Sequence, residues 1–282
     1  MAFLPTSSGL QGRHFFPLVF RLALKLEQLQ WPEFAEDPAL AAFSLRSAQR
    51  LFHSTAIVNW FDDWLEAEGA GVLVTRDELG NVLGATGEDR VADADSVVGS
   101  PPVQYALDLC RRLAAELGDA CATVGYLTGA VTLGQRLNGR SSSLANAIAA
   151  ANPAAAAICT QHVRSLCEAN CNALLMVEHE PLGAFIAAHY SAAINIASYY
   201  GKPIGFMSRH PLSAEFASAA TAAGFSIVFP SDAQRGVTVV RVSDLIEDRV
   251  KPLSSAALVM TDWEVSSDVT PESLIRLSKE AA

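Results

Sequence analysis

Eight short apolar runs recur along this chain, at 14–20, 55–60, 121–127, 173–177, 203–207, 226–229, 237–242 and 257–261. Each is followed by a turn or by helix-length sequence, and the Ala/Leu-rich stretches 37–52, 102–117, 182–200 and 213–223 carry helical spacing. A strand written as a continuous apolar run, without alternation, is covered on both faces, as parallel strands bridged by helices are. Eight strand–helix alternations therefore predict a (β/α)8 TIM barrel. No internal repeat or low-complexity linker divides the chain, although 149–157 is alanine-rich, so 1–282 reads as a single domain.

One stretch departs from the rhythm. Residues 71–84 (GVLVTRDELGNVLG) alternate apolar and polar positions around a turn, which predicts a β-hairpin inserted after the second strand. Residues 89–100 are polar and precede Pro101-Pro102, so they read as a surface loop or a lead-in to a helix.

Composition supports one compact, soluble enzyme. Half of the residues are hydrophobic and 18% are charged, enough to bury a large core, and at 282 residues the chain is close to the usual barrel length. The net charge of −10 and the lack of a long basic run argue against nucleic acid or an anionic membrane as partner. The apolar segment 14–26 resembles an export signal only superficially, because Arg21 and Lys25 interrupt it and no small-residue cleavage site follows. No run reaches the roughly 18 apolar residues of a spanning helix, which points to the cytoplasm. Cys110, Cys121, Cys159, Cys167 and Cys171 lie in apolar surroundings without a C-x-x-C pair, and they are expected to be reduced and buried.

In a barrel, catalytic groups come from the C-terminal strand ends and the loops that follow. Here those ends carry Arg21, Asp62, Thr128-Gly129, Glu178-His179-Glu180, Ser208-Arg209-His210, Ser231-Asp232, Ser243-Asp244 and Asp262-Trp263-Glu264. Carboxylates, arginines, histidines and a tryptophan collected at one end make a candidate active site. Asp62 stands out, because the apolar run 55–60 ends abruptly in Phe61-Asp62-Asp63. The plainer reading is that Asp62 or Asp63 caps the helix that follows. Arg21 and Lys25 could likewise lie on an amphipathic helix and face solvent.

These positions resemble the uroporphyrinogen decarboxylase superfamily from about Arg21 to Glu272. The family ends its second strand with an aspartate and reaches a small-residue turn nine positions later; its methyltransferase branch writes D, three residues, E-A-E. This chain has Asp62, Glu66-Ala67-Glu68 and Gly71. The family's M-R-Q-A-G-R and P-E-Y segments correspond to Phe20-Arg21-Leu22-Ala23-Leu24-Lys25 and Trp31-Pro32-Glu33-Phe34. Its G-P-x-T-L turn is similar to Gly129-Ala130-Val131-Thr132-Leu133, where Thr132 is expected to cap a helix whose free amides could hold an anion. The strand from Leu258 through Thr270-Pro271-Glu272 looks like the closing strand and P-E-N turn of the methyltransferase-like branch.

The resemblance implies a catalytic role for Asp62 and carboxylate contacts from Arg21 and Lys25, the former suited by its bidentate fork. From their place at the strand ends, His179, Glu180 and His210 are further catalytic candidates, and Arg136, Glu178, Arg209, Asp262 and Trp263 are candidate substrate contacts. The decarboxylases' substrate tyrosine falls near Arg136. The zinc donors of thiol-directed methyltransferases fall on Met207, Arg209 and Trp263, none of which is a thiolate or imidazole, so zinc is not expected. A displaced metal site built from His179, Glu178 or Glu180, and His210 stays open.

The function implied first is a corrinoid-linked methyltransferase, acting on a small methylated substrate with a corrinoid carried by a partner protein. The alternatives are a metal-independent decarboxylase of a tetrapyrrole or aromatic carboxylate, and a non-catalytic small-molecule-binding barrel. A homodimer is among the assemblies open to the chain.

Overall fold

The computed structural model describes residues 3–4, 14–87, 93–137, 153–229, 237–250, 253 and 257–281. Ten strands follow in order: β1 (His14–Leu18), β2 (Ala56–Val58), β3 (Leu73–Arg76), β4 (Val82–Thr86), β5 (Ala122–Thr128), β6 (Ala173–Glu178), β7 (Ile204–Ser208), β8 (Ile227–Phe229), β9 (Val237–Val240) and β10 (Leu258–Glu264). Apart from the β3–β4 pair, all coincide with the eight apolar runs. They pair in parallel as β2-β5-β6-β7-β8 and as β9-β10-β1.

Thr55 joins the two groups, donating its N–H to the Phe15 carbonyl (2.8 Å) while its hydroxyl accepts from the Phe15 N–H (3.0 Å). Eight parallel strands thus follow one another in chain order, as in a (β/α)8 barrel. Among the described residues no ladder joins β8 to β9; the strand-end pair Ser231-Asp232 lies outside them, as does 149–152 of the alanine-rich stretch.

Burial explains why the strands were legible. β5, β6 and β7 are buried at every position, with helices outside and packed side chains inside. Helix Pro38–Phe52 begins where the Asp37 carboxylate accepts from the Ala39 and Leu40 N–H groups, and it ends at His53 in the left-handed region. Of 182–200, only Ala187–His189 and Ser191–Tyr199 are helical, since Pro181 and Gly183 oppose a longer helix. The polar stretch before Pro101 contains a short helix, Ala94–Val98, capped by Asp93. All five cysteines are free and buried. Among the described residues no helix is long and apolar enough to cross a membrane.

Two local features aim residues at the strand ends. Pro17 has no N–H to give, and the β1–β10 register slips between Phe16 and Leu18. There the Thr261 hydroxyl accepts from the Leu18 N–H (3.0 Å) and donates to the Trp263 carbonyl (2.7 Å), carrying Trp263 and Glu264 over the barrel mouth.

The second feature is the antiparallel hairpin β3–β4, present where the alternating pattern placed it. Its turn is tied to the helix Trp31–Glu36 through the Trp31 N–H and the Glu78 carbonyl (2.7 Å). Gly80, at φ +81°, lies flat on the Trp31 ring, and a Cβ there would come within 2.1 Å of it. Beneath the hairpin, Phe20, Trp31, Phe34, Trp60 and Tyr105 pack at centroid distances of 5.0–6.4 Å. Such ring pairs contribute about 0.5–1.5 kcal/mol each beyond area burial, which makes the hairpin's seat rigid.

Candidate active site

A cavity of about 670 Å³ opens at the C-terminal strand ends, where a barrel carries its chemistry. Its wall includes Arg21, Phe61, Asp62, Asp63, Trp64, Asn81, Arg136, His179, Glu180, Arg209, Trp263 and Glu264.

Asp62 sits at its base with no exposed side-chain surface. One carboxylate oxygen is 2.5 Å from Arg76 Nη2, and the other is 4.0 Å from Arg21 Nη2 and accepts from the Trp64 N–H (3.3 Å). Burial pushes the Asp62 carboxyl above the usual range, more strongly than Arg76 and Arg21 pull it down, and Asp63 adds to the rise. Glu264 behaves alike: burial raises its pKa against the pull of Arg21, whose N–H (2.7 Å) and Nη1 (2.5 Å) it binds. Arg21 also donates to the Phe61 carbonyl (3.2 Å).

Asp63 faces a different set of neighbours. Its Oδ2 accepts from Arg136 Nε (3.0 Å) and Nη2 (2.5 Å) and lies 3.5 Å from His179 Nδ1. Burial works to raise this carboxyl too, but His179 and Arg136 outweigh it and leave Asp63 below its ordinary range. Arg136 also donates to Glu180 (2.8 Å) and stands over the Trp64 ring at 4.7 Å. Burial lowers His179 to about 4, with Asp63 opposing and Arg136, Arg209 and Arg21 adding to the fall. Its ring is therefore neutral near pH 7. Nε2 stands 3.5 Å from the Tyr126 hydroxyl, and Trp263 meets the ring edge-on at 4.7 Å.

Of the residues expected from sequence, Asp62, His179, Glu180, Arg21, Arg136, Arg209 and Trp263 converge on this cavity. Arg209 is exposed and lies over the Trp263 ring at 5.7 Å. The remaining four lie outside the lining. Lys25 is exposed and donates to the Ser267 carbonyl (2.5 Å). Asp262 accepts from the Val242 N–H (2.8 Å) at the start of the helix Val242–Ile246. His210 donates its backbone N–H to the Ser208 hydroxyl (3.1 Å).

Glu178 turns behind the wall. It accepts from the Val131 (3.1 Å) and Thr132 (2.7 Å) N–H groups and from the Tyr190 hydroxyl (2.8 Å). The group at the N-terminus of helix Ala130–Leu137 is thus the chain's own Glu178 carboxyl, whose pKa burial raises against the pull of these donors. Thr132 lies within that helix instead of capping it, and its hydroxyl accepts from the His179 N–H (2.8 Å). Gly129 is what lets Glu178 approach, since a Cβ there would be 2.2 Å from the carboxylate.

The Glu66-Ala67-Glu68 motif also divides its work. Glu66 is fully buried, accepting from the Thr128 N–H (3.0 Å) and hydroxyl (2.6 Å) and pairing with His162 Nδ1 (2.9 Å), so it braces Asp62's segment against β5. Sequence reasoning placed Glu264 among the strand ends without giving it a role, and it did not single out Asp63, Arg76 or Asn81 as site residues. Asp63 adjoins a residue it did select, whereas Arg76 and Asn81 arrive on the hairpin.

Zinc does not fit the expected donor positions: Met207 is buried in the strand wall, and Arg209 and Trp263 are not thiolate or imidazole donors. Among the described residues no three His, Cys, Asp or Glu side chains gather as a metal site.

A polar cavity at the C-terminal strand ends is where proteins of this barrel architecture carry their chemistry. The fold matches a solved methyltransferase from Methanosarcina mazei, with a TM-score of 0.75 over 96% of this chain and 94% of that one, at 12% identity. A homocysteine methyltransferase from Escherichia coli, solved in its apo form, aligns over 96% of each chain at 11% identity with a TM-score of 0.43. No protein-family profile matches the chain, and no curated protein sequence matches it.

Proposed function

We propose that this protein is a methyltransferase of the corrinoid-linked type, moving a methyl group between a small methylated substrate and a corrinoid carried by a partner protein. The observation that carries the reading is Asp62, a fully buried carboxyl at the base of the strand-end cavity, 2.5 Å from Arg76 and pushed by burial above the usual carboxylate range. The family the sequence resembles has its aspartate at this position. The whole-length fold likeness to a methyltransferase supports the same reading.

Removing a methyl group from oxygen, nitrogen or sulfur leaves an atom that must gain a proton, and a carboxyl whose pKa burial raises is suited to deliver one. A corrinoid supplies a cobalt centre able to accept or return the methyl group. In this scheme Asp62 protonates the leaving atom, and Arg76 (2.5 Å), with Arg21 at 4.0 Å, holds its carboxyl in place. His179, neutral beside the Asp63 anion, offers a hydrogen bond to the substrate, and Trp64 and Trp263 form apolar walls. Arg209 at the exposed side attracts an anionic group. The cavity accommodates a small substrate, and its open side is where a corrinoid protein would approach.

Decarboxylation is the weaker reading. It needs a cationic clamp for carboxylates, but Arg21 is already committed to Glu264 and Asp62, while Lys25 is outside the cavity.

The test mixes the purified protein and reduced free corrinoid with methyl ethers, methylamines and methyl thioethers, following the corrinoid absorbance change on methylation. Methylation that requires the protein and weakens in Asp62→Asn supports the reading. Release of carbon dioxide from aromatic carboxylates, with no methylation, contradicts it.

A further inference from the structure

A second cavity, of about 500 Å³, lies beyond the hairpin, with Trp31, Trp60, Pro101 and Tyr105 among its walls and Glu68 and Arg76 on its inner side. It is joined to the first by an alternating chain of charge. Glu264 binds Arg21 (2.5 Å), Arg21 approaches Asp62 (4.0 Å), Asp62 pairs with Arg76 (2.5 Å), and Arg76 pairs with Glu68 (2.8 Å). The last two contacts use the same atom. Asp62 Oδ2 and Glu68 Oε2 both address Arg76 Nη2, while Arg76 Nη1 is occupied by the Gly80 carbonyl (3.1 Å) and the guanidinium is 5.0 Å from the Trp31 ring centroid.

Three carboxyls alternate with two guanidiniums that cannot give up their protons. Fully ionised, the chain carries one surplus negative charge in a largely buried setting, where an unbalanced charge is costly. One proton shared among Glu264, Asp62 and Glu68 removes that surplus. Its place depends on which carboxyl holds the arginines best.

We propose that Glu68 is a positioning residue that competes with Asp62 for one nitrogen of Arg76 and thereby sets when Asp62 holds its proton. When Glu68 is ionised it draws on Arg76 and adds a like charge near Asp62, which favours protonated Asp62. When Glu68 is neutral, Arg76 belongs to Asp62 and the carboxylate form gains. Glu68 keeps 24% of its side-chain surface exposed, on the second cavity, whereas Asp62 keeps none. Control is thus reached from a side that the substrate does not occupy.

The groups that face Asp62 are Arg76 from β3, Arg21 from helix Arg21–Leu26, its neighbour Asp63, Glu264 from β10, and Tyr126 from β5. Those facing Glu68 are Arg76 and Asp62; burial raises the Glu68 carboxyl first, Arg76 opposes, and Asp62 adds to the rise.

The consequence for turnover rests on Asp62 as proton donor in the proposed methyl transfer, but the competition itself is independent of any reaction. It is tested by NMR titration of carboxyl-¹³C-labelled protein. Glu68→Gln is expected to lower the Asp62 midpoint by about half a pH unit or more, the scale of one like charge removed from a few ångström away; Glu68→Asp is expected to restore part of the shift. An unmoved Asp62 midpoint in folded Glu68→Gln protein overturns the proposal. Should that variant not fold, the wild-type Glu68 signal serves, since competition requires it to show a step at the Asp62 midpoint and a single independent transition contradicts it. A shifted midpoint without methyl transfer activity leaves the coupling standing and removes the functional reading.

Discussion

Asp62 and Asp63 are consecutive, line one cavity and each meet an arginine, yet their surroundings drive them in opposite directions. Asp62 is sealed from solvent and shares its two arginines with Glu264 and Glu68, and burial lifts its carboxyl above the usual range. Asp63 keeps 12% of its side chain exposed and receives two nitrogens of Arg136 on a single oxygen, so the anion is favoured. Arg136 is itself shared, with Glu180, so the contrast between the two carboxyls lies in how completely each is buried and in the His179 ring beside Asp63. In the proposed chemistry Asp62 holds the proton and Asp63 is the fixed charge.

The largest expected difference between the two is in turnover. With a methylated substrate in hand, Asp62→Asn is expected to reduce kcat by about 10²-fold or more, the scale of a lost acid or electrostatic group. Asp63→Asn should cost roughly 10-fold, through misplacement of Arg136 and His179. Equal losses measured in steady-state assays would erase the distinction.

Stability should separate their arginines next. Arg76→Ala strands a buried carboxyl and is expected to cost about 3–5 kcal/mol, read as a lower denaturation midpoint in urea. Arg136→Ala, with partners nearer solvent, should cost about 1–2 kcal/mol. The reverse order would place the stronger buried coupling at Asp63.

The pH dependence of stability is a smaller effect with opposite signs. A raised carboxyl favours the fold at low pH and loses that contribution as pH climbs from about 3.9, its unfolded value, through the raised folded value. Asp62→Asn should therefore lessen the decline on that rising side. Asp63 contributes above about 3.9 and loses its contribution as pH falls through its lowered folded value, so the deficit of Asp63→Asn should close in acid. Chemical denaturation across pH 2–7 distinguishes the two. Last, the His179 ring should titrate near 4 in ¹H–¹⁵N spectra. A midpoint at the ordinary value of about 6.5 would mean that burial does not depress the ring and that the Asp63 wall is built differently.

Much of the barrel was legible because parallel strands buried on both faces are written as uninterrupted apolar runs, and each run ended within three residues of the end of its strand. The hairpin was legible from alternation, and Asp62 from its abrupt place after an apolar run. Directions of side chains were harder. Glu178, His179 and Glu180 are consecutive, but the first turns behind the wall to the amides at 131 and 132, and only the others face the cavity. Asp262 likewise meets Val242 while Trp263 reaches the mouth, because the β1–β10 register slips at Pro17. Arg76 had no local signal at all. Nothing in an alternating hairpin says that its turn will fold over Trp31 and deliver a guanidinium to the end of β2.

The most direct measurement is the pair of carboxyl midpoints themselves, followed for Asp62 and Asp63 in one ¹³C NMR titration of the wild-type protein. The Asp62 midpoint should lie above the ordinary aspartate value of about 3.9 and the Asp63 midpoint below it. Coincident midpoints, or Asp63 titrating above Asp62, would contradict the assignment of proton holder and fixed anion on which the proposed chemistry rests.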